Sequence, residues 1–196
     1  MMMLRDRIRG VEGVACVVVD CCMLRRVCRS PMIHSMSMTS LGAALPVDGR
    51  QSPTALAVAR GSTRLLHSLG FSVLGEVPLA SGRRADLVAL GSDGEIWIIE
   101  IKSSLADLRA DQKWMHYRLH CDRLFFATTL EMPGEIFPDD AGLIVADAYG
   151  ASIVCEAPEH RLHAATRKTV LLAFARVAAL RLAALADPES SQREQL

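Results

Sequence analysis

The chain is 196 residues long and 51% hydrophobic, with 22 basic and 22 acidic side chains. That length and apolar content suit one domain with a substantial core. The neutral balance turns acidic from Gln51 onward, at 15 Lys and Arg against 18 Asp and Glu, which excludes a protein that holds nucleic acid by overall charge; any such contact must be a local patch.

No uninterrupted apolar run reaches the roughly 18 residues of a membrane span, so a cytoplasmic protein with no membrane partner is expected. The first fifty residues hold seven of the nine Met and four of the six Cys (Cys16, Cys21, Cys22 and Cys28) without a sustained period. Glu12 and Asp20 interrupt the apolar part that follows the basic start, which argues against a signal peptide. The cysteine spacing lacks the paired Cys-x-x-Cys of a zinc site. Residues 1–52 are therefore expected to be a disordered or mis-annotated N-terminal extension, with Met32, Met36 or Met38 as the working start. Residues 53–187 would form the domain and residues 188–196 a disordered polar tail. Cys121 and Cys155 lie in apolar segments and are expected to be buried thiols.

Periodic structure begins at Ser52, which can cap a helix with Pro53 in its first turn, running to about Ser68 and stopping before Gly70. This helix carries Arg60 and Arg64 and no acid. Beyond it, Ala80-Ser81-Gly82 and Ser92-Asp93-Gly94 can each close a three-residue hairpin loop with a left-handed glycine last. The first loop pairs Leu79 with Arg83 and sets Glu76 opposite Asp86. The second pairs Gly91 with Glu95 and sets Asp86 opposite Glu100. Pro78, which has no amide hydrogen, fits the outer strand.

Side chains alternate along a strand, so Glu100 and Lys102 share a face with Ile96 and Ile98, while Trp97, Ile99 and Ile101 take the other. A strand apolar on both faces is a central one. Glu76, Asp86 and Glu100 would then lie side by side across three strands, with Lys102 one pleat beyond. Like charges so placed repel one another unless a cation neutralises them. Oxygen ligands suit a hard ion, Mg²⁺ or Mn²⁺. Such an ion polarises a phosphoryl oxygen and acidifies a water, while Lys102 would orient that water or offset transition-state charge. These are the parts that phosphodiester hydrolysis needs.

Ser104-x-x-Asp107 opens a helix expected to run to about His120. Lys113 and Tyr117 are four apart on one face of it. Trp114 is expected to anchor the core, and His116 and His120 are expected to be surface histidines, because no third zinc ligand is evident. Arg123 to Thr128, Gly142 to Ala146 and Ile153 to Glu156 read as strands that complete a sheet of about six. Ala164 to Ala186 reads as a long helix with Leu and Ala on more than one face, suited to pack on the body or on a second subunit. Its Arg167, Lys168, Arg176 and Arg181 are expected to be solvated charges, with contact to flanking DNA as the alternative reading.

The run from Arg83 to Ser104, with Asp86 followed by Glu100-Ile101-Lys102, resembles the PD-(D/E)XK nuclease superfamily; Ala85 stands where that motif has proline. More closely, the segment from about Arg60 to Arg176 resembles the MmcB family of DNA repair proteins. The resemblance is carried by GRRADLVAL, EIWIIEIKSS, DQKWMHY ahead of Cys121-Asp122, and GLIVADAYGA. It implies an α/β, restriction-endonuclease-like fold: a mixed central β-sheet flanked by α-helices, with a long C-terminal helix. It also implies a role in DNA repair or damage tolerance.

Within that resemblance Asp86, Glu100 and Lys102 are the catalytic residues, and Asp86, Glu100, Glu76 and Ile101 the metal set. Arg83, Arg84, Lys113, Tyr117, Arg60 and Arg64 are the residues placed for DNA binding or for support of the site. Superfamily members often carry an acid on the first helix; its absence here leaves Glu76 as the substitute or the site one ligand short. The partners implied are DNA of unspecified structure and repair proteins, and a homodimer is compatible with cutting both strands. Two functions stay open: a Mg²⁺- or Mn²⁺-dependent deoxyribonuclease, and a weakly active or inactive module of the same fold that binds a DNA structure or a repair partner. No Ser-His-Asp order, phosphate-binding Gly-rich loop, zinc finger or repeat is present, which removes the corresponding enzymes and DNA-reading modules.

Overall fold

The computed structural model describes residues 52–110 and 114–188. The expectations for residues 1–51 and for the tail from residue 189 lie outside the described residues. Helix α1 (Pro53–Ser68) starts as the sequence requires: the Ser52 hydroxyl accepts the Ala55 N–H at 3.1 Å, and Pro53 occupies the first turn. The chain then turns at Gly70, whose φ of 88° is open to glycine, into β1 (Ser72–Pro78), β2 (Arg84–Leu90) and β3 (Ile96–Ile101). Two short helices follow, α2 (Leu105–Ala110) and α3 (Met115–Arg118), then β4 (Arg123–Thr128), a 3₁₀ turn at Gly134–Ile136, β5 (Gly142–Ala146), β6 (Ala151–Cys155) and the long α4 (Ala164–Ala186).

The six strands form one mixed sheet in the order β1-β2-β3-β4-β5-β6, with β3, β4 and β5 parallel and the other neighbours antiparallel. Helices flank it, as expected for this fold class. All six residues of β3 are buried, because alternate side chains feed two separate cores. Trp97, Ile99 and Ile101 join Leu87, Phe125 and Ile144 beneath Val58 and Leu66 of α1. Ile96 and Ile98 join Val88, Leu124 and Phe126 with Tyr117 of α3 and Val170 of α4. Glu100 and Lys102 follow the parity of Ile96 and Ile98, so they belong to the face away from α1.

Both hairpins take the expected register. Leu79 N–H donates to the Arg83 carbonyl at 2.8 Å, and Gly91 N–H to the Glu95 carbonyl at 2.8 Å. Gly82 and Gly94 sit in the left-handed region, at φ 77° and 86°, where a two-versus-one bulge requires them. Pro78 ends the edge strand β1.

Several expectations are corrected. Of the helix foreseen through His120, Leu105–Ala110 and Met115–Arg118 are helical, residues 111–113 lie outside the described residues, and the last helical residue is Arg118. His120 is buried rather than on the surface. The last strand begins at Ala151 rather than Ile153, and Cys155 is exposed because β6 is an edge strand. Arg167 is not a solvated charge. It forms a two-pronged pair with the buried Asp122 at 2.7 Å for each contact. Asp122 also accepts the Ile96 N–H at 2.8 Å and the Leu162 N–H at 2.9 Å, so one carboxylate fastens the start of β3, the segment before α4, and α4 itself.

Candidate functional site

The site lies where β2 and β3 part. Gly91 and Glu95 form a hydrogen-bonded pair, and in an antiparallel ladder such pairs recur every second residue, so beyond Leu87 and Ile99 the next would join Ala85 to Ile101. The observed register ends at Leu87 and Ile99. The Ile101 N–H instead donates to Asp86 Oδ2 at 2.8 Å, and the Asp86 N–H donates to Glu100 Oε1 at 3.3 Å. Asp86 and Glu100 are therefore neighbours across the gap. N–H and C=O of one strand residue point to the same side, so the Ile101 carbonyl is directed into the same gap.

Glu100 and Lys102 are both buried, at 3% and 5% exposure. Main-chain contacts fix Lys102: its N–H donates to the Ala127 carbonyl at 2.9 Å, and its own carbonyl accepts the Thr128 hydroxyl at 2.7 Å. Ser104 caps α2 by accepting the Asp107 N–H at 3.1 Å, while Asp107 accepts the Ser103 N–H at 3.4 Å. These contacts fix the start of α2 and bring a further acid near the site.

Burial pushes the Asp86 carboxyl from 3.8 up to about 6, against the Ile101 hydrogen bond and the Lys102 charge, which favour the anion; Glu76 and Asp107 add to the rise. A buried carboxylate so perturbed is a negative charge that its surroundings do not fully offset. Two carboxylates and a carbonyl directed into one gap fit a small hard cation, which ordinarily keeps several waters beside one or two carboxylates. Among the described residues no group of three or more His, Cys, Asp or Glu is gathered in a metal-binding arrangement.

Glu76 stands opposite Asp86 by register, between the pairs Gly75–Leu87 and Val77–Ala85. Its backbone is left-handed, at φ 55°, a conformation uncommon outside glycine. Its carboxylate forms an ion pair with Arg84, and its carbonyl accepts from Arg181 at 3.4 Å.

The other sequence candidates divide. Arg84 and Tyr117 meet at the edge of the site, where the Tyr117 hydroxyl donates to the Arg84 carbonyl at 3.4 Å. Arg83 is half-buried on the loop just before β2. Arg60 and Arg64 are exposed on α1, across the sheet from Glu100. Arg64 donates to the carbonyls of Ala148 and Tyr149 at 2.9 and 3.0 Å, so it braces the β5–β6 turn. Lys113 lies outside the described residues. The Asp122–Arg167 clasp had only one sequence signal, an acid placed at the mouth of an apolar strand.

A family model described as "DNA repair protein MmcB-like" matches residues 43–189. A solved structure described as a protein of unknown function from Silicibacter pomeroyi is 47% identical. Its alignment covers 71% of this chain and 95% of that one, with a TM-score of 0.68. No curated protein matches the chain. The match over three quarters of the sequence, with the shared architecture, identifies the chain as a member of the MmcB-like family of DNA repair proteins.

Proposed function

We propose that this protein acts in DNA repair as a divalent-metal-dependent deoxyribonuclease of the PD-(D/E)XK kind. The observation that carries this reading is the interruption of the β2–β3 ladder by Asp86. A sheet built for stability alone would continue its backbone bonds; here a carboxylate takes one of them beside a second carboxylate, with Lys102 next on the Glu100 face. Asp86, Glu100 and the Ile101 carbonyl would hold Mg²⁺ or Mn²⁺. Bound there, the ion supplies Lewis acidity toward a phosphoryl oxygen and a water acidified toward neutrality.

The chain's own residues do the rest. Lys102, held at its backbone by β4, presents a cation that offsets charge on the scissile phosphate and orients the attacking water. Arg83 and Arg84 border the gap and would meet the flanking DNA backbone. Tyr117 fixes the Arg84 backbone. Because the acidic gap repels DNA phosphate in the absence of a cation, DNA affinity should depend on metal more than on net charge.

A second reading is a structure-binding repair module that cuts slowly or not at all. Glu76, the available third acid, is engaged by Arg84, and α1 supplies no substitute. Labelled duplex, nicked, flapped and branched DNAs incubated with Mn²⁺ separate the two. Cleavage that disappears in Lys102→Ala supports the nuclease. Metal-independent binding of one DNA structure without cleavage supports the module.

A further inference from the structure

Resting on the nuclease reading, we infer that the DNA strand held at the gap between Asp86 and Glu100 continues with unpaired bases into a groove over β5 and β6. The substrate is then DNA that carries unpaired nucleotides beside the scissile phosphate. The groove, of about 1370 Å³, extends the same face of the sheet that holds Glu100 and Lys102. Residues paired across strands share a face, and Glu100 pairs with Phe126 and Phe126 with Leu143. Two residues on, Thr128 pairs with Val145 and Val145 with Ser152. Thr128 is also the residue whose hydroxyl binds the Lys102 carbonyl, at 2.7 Å. Leu143, Val145 and Ser152 line the groove. At about 4.8 Å per strand, Val145 lies roughly 10 Å from Lys102, within about three nucleotides along a DNA strand.

The chemistry of the groove selects bases over phosphates. Its charged lining residues are Glu131 and Asp147, and among the described residues no Lys, Arg or His lines it. Uncharged bases are accepted there, whereas a continuous duplex, which turns its phosphates outward, is repelled. The rims carry Leu130 and Tyr149, 86% and 83% exposed, the two most exposed large apolar side chains among the described residues. They stand on the loops that follow β4 and β5, at the same end of the parallel strands as Lys102 after β3. An aromatic ring to stack on and an apolar wedge opposite it suit a splayed base. Tyr149 is also set in place beforehand. Its N–H donates to Asp147 Oδ1 at 2.7 Å, and its carbonyl accepts from Arg64 Nη1 at 3.0 Å. The backbone is thus held at both groups while the ring stays in solvent, so stacking a base on it costs little ordering.

The test measures binding by the full-length Lys102→Met chain in Mn²⁺, with cleavage by the parent followed beside it. The DNAs carry the fluorescent base 2-aminopurine in a single-stranded flap or within a continuous duplex. The flap should bind at least about tenfold more tightly than the duplex, with quenching of the 2-aminopurine, and the parent should cut within about three nucleotides of the junction. Adding Tyr149→Ala should weaken flap binding by about tenfold and remove the quench, while Tyr149→Phe should keep both. Leu130→Ala should also weaken flap binding, and neither exposed position should alter Mn²⁺ affinity. Equal binding of flap and duplex, or indifference to Tyr149→Ala and Leu130→Ala, would overturn the inference even where the parent cuts DNA. A Tyr149-dependent quench without cleavage by the parent would uphold the base groove and overturn the nuclease reading alone. A dimer in sedimentation that Leu130→Glu dissolves, with DNA binding unchanged, would give the groove to a second copy and overturn the inference.

Discussion

Asp86 Oδ2 accepts the Ile101 N–H at 2.8 Å, occupying the place that a β2 carbonyl would take if the β2–β3 ladder ran on. One carboxylate thus both parts the strands and stands beside Glu100 in the opening it makes. Removing its charge should relax the domain and, on the proposed function, should also end cation binding and the chemistry that depends on it.

The pH dependence of stability follows from the Asp86 carboxyl, raised from 3.8 to about 6 by burial. A raised carboxyl binds its proton more tightly in the folded protein than in the unfolded chain. Its contribution is therefore complete below about pH 4 and is lost as pH rises through about 6. In chelator, urea unfolding at pH 4.5 and 7.5 should show a decline attributable to this group of about 2 kcal/mol. Asp86→Asn keeps an oxygen for the Ile101 N–H and should flatten that decline, making the metal-free variant more stable than the parent at pH 7.5.

Asp122→Ala should cost at least about 3 kcal/mol, because it leaves the Arg167 guanidinium and two backbone N–H groups without their acceptor. Burial raises the Asp122 carboxyl, but Arg167, Leu162 and Ile96 together hold it below the usual carboxylate range. Its stabilisation is present above the ordinary carboxylate value and is lost as acid protonates it. Denaturant titration of the variant, with circular dichroism, measures the cost.

Gly61 sits where α1 crosses the β5–β6 turn, and a Cβ there would strike the carbonyls of Asp147 and Gly150. Both obstacles are backbone and cannot swing aside. Gly61→Ala should destabilise the domain by about 2 kcal/mol or more despite the better helix propensity of alanine. A lowered thermal midpoint would show it; an unchanged or raised midpoint would mean that α1 sits farther from the turn.

Much of this was legible in the sequence because it depends on short-range rules. Ala80-Ser81-Gly82 and Ser92-Asp93-Gly94 define both hairpin registers, and the apolar alternation of Ile96 to Ile101 marks the central strand. Ser52-Pro53 marks the start of α1. Hidden from it were facts of long range or local backbone. Arg167 meets Asp122 across 45 positions, and nothing local distinguishes it from Lys168 beside it. The left-handed backbone of Glu76 has no glycine at that position to announce it, and its ion pair with Arg84 crosses between two strands.

Glu76 provides a discriminating variant. If two carboxylates hold the cation, Glu76→Gln should leave Mn²⁺ affinity within about threefold of the parent, while Glu100→Gln should lower it by about tenfold or more. Equal losses would make Glu76 a third ligand, released from Arg84 when the ion binds.

The central claim is that the opening between Asp86 and Glu100 holds a divalent cation. Calorimetric titration of Mn²⁺ into the full chain and into Asp86→Ala and Lys102→Ala tests it most directly. The account predicts one saturable site in the parent, retained in Lys102→Ala and lost in Asp86→Ala. No binding by the parent, or binding that survives in Asp86→Ala, would contradict it.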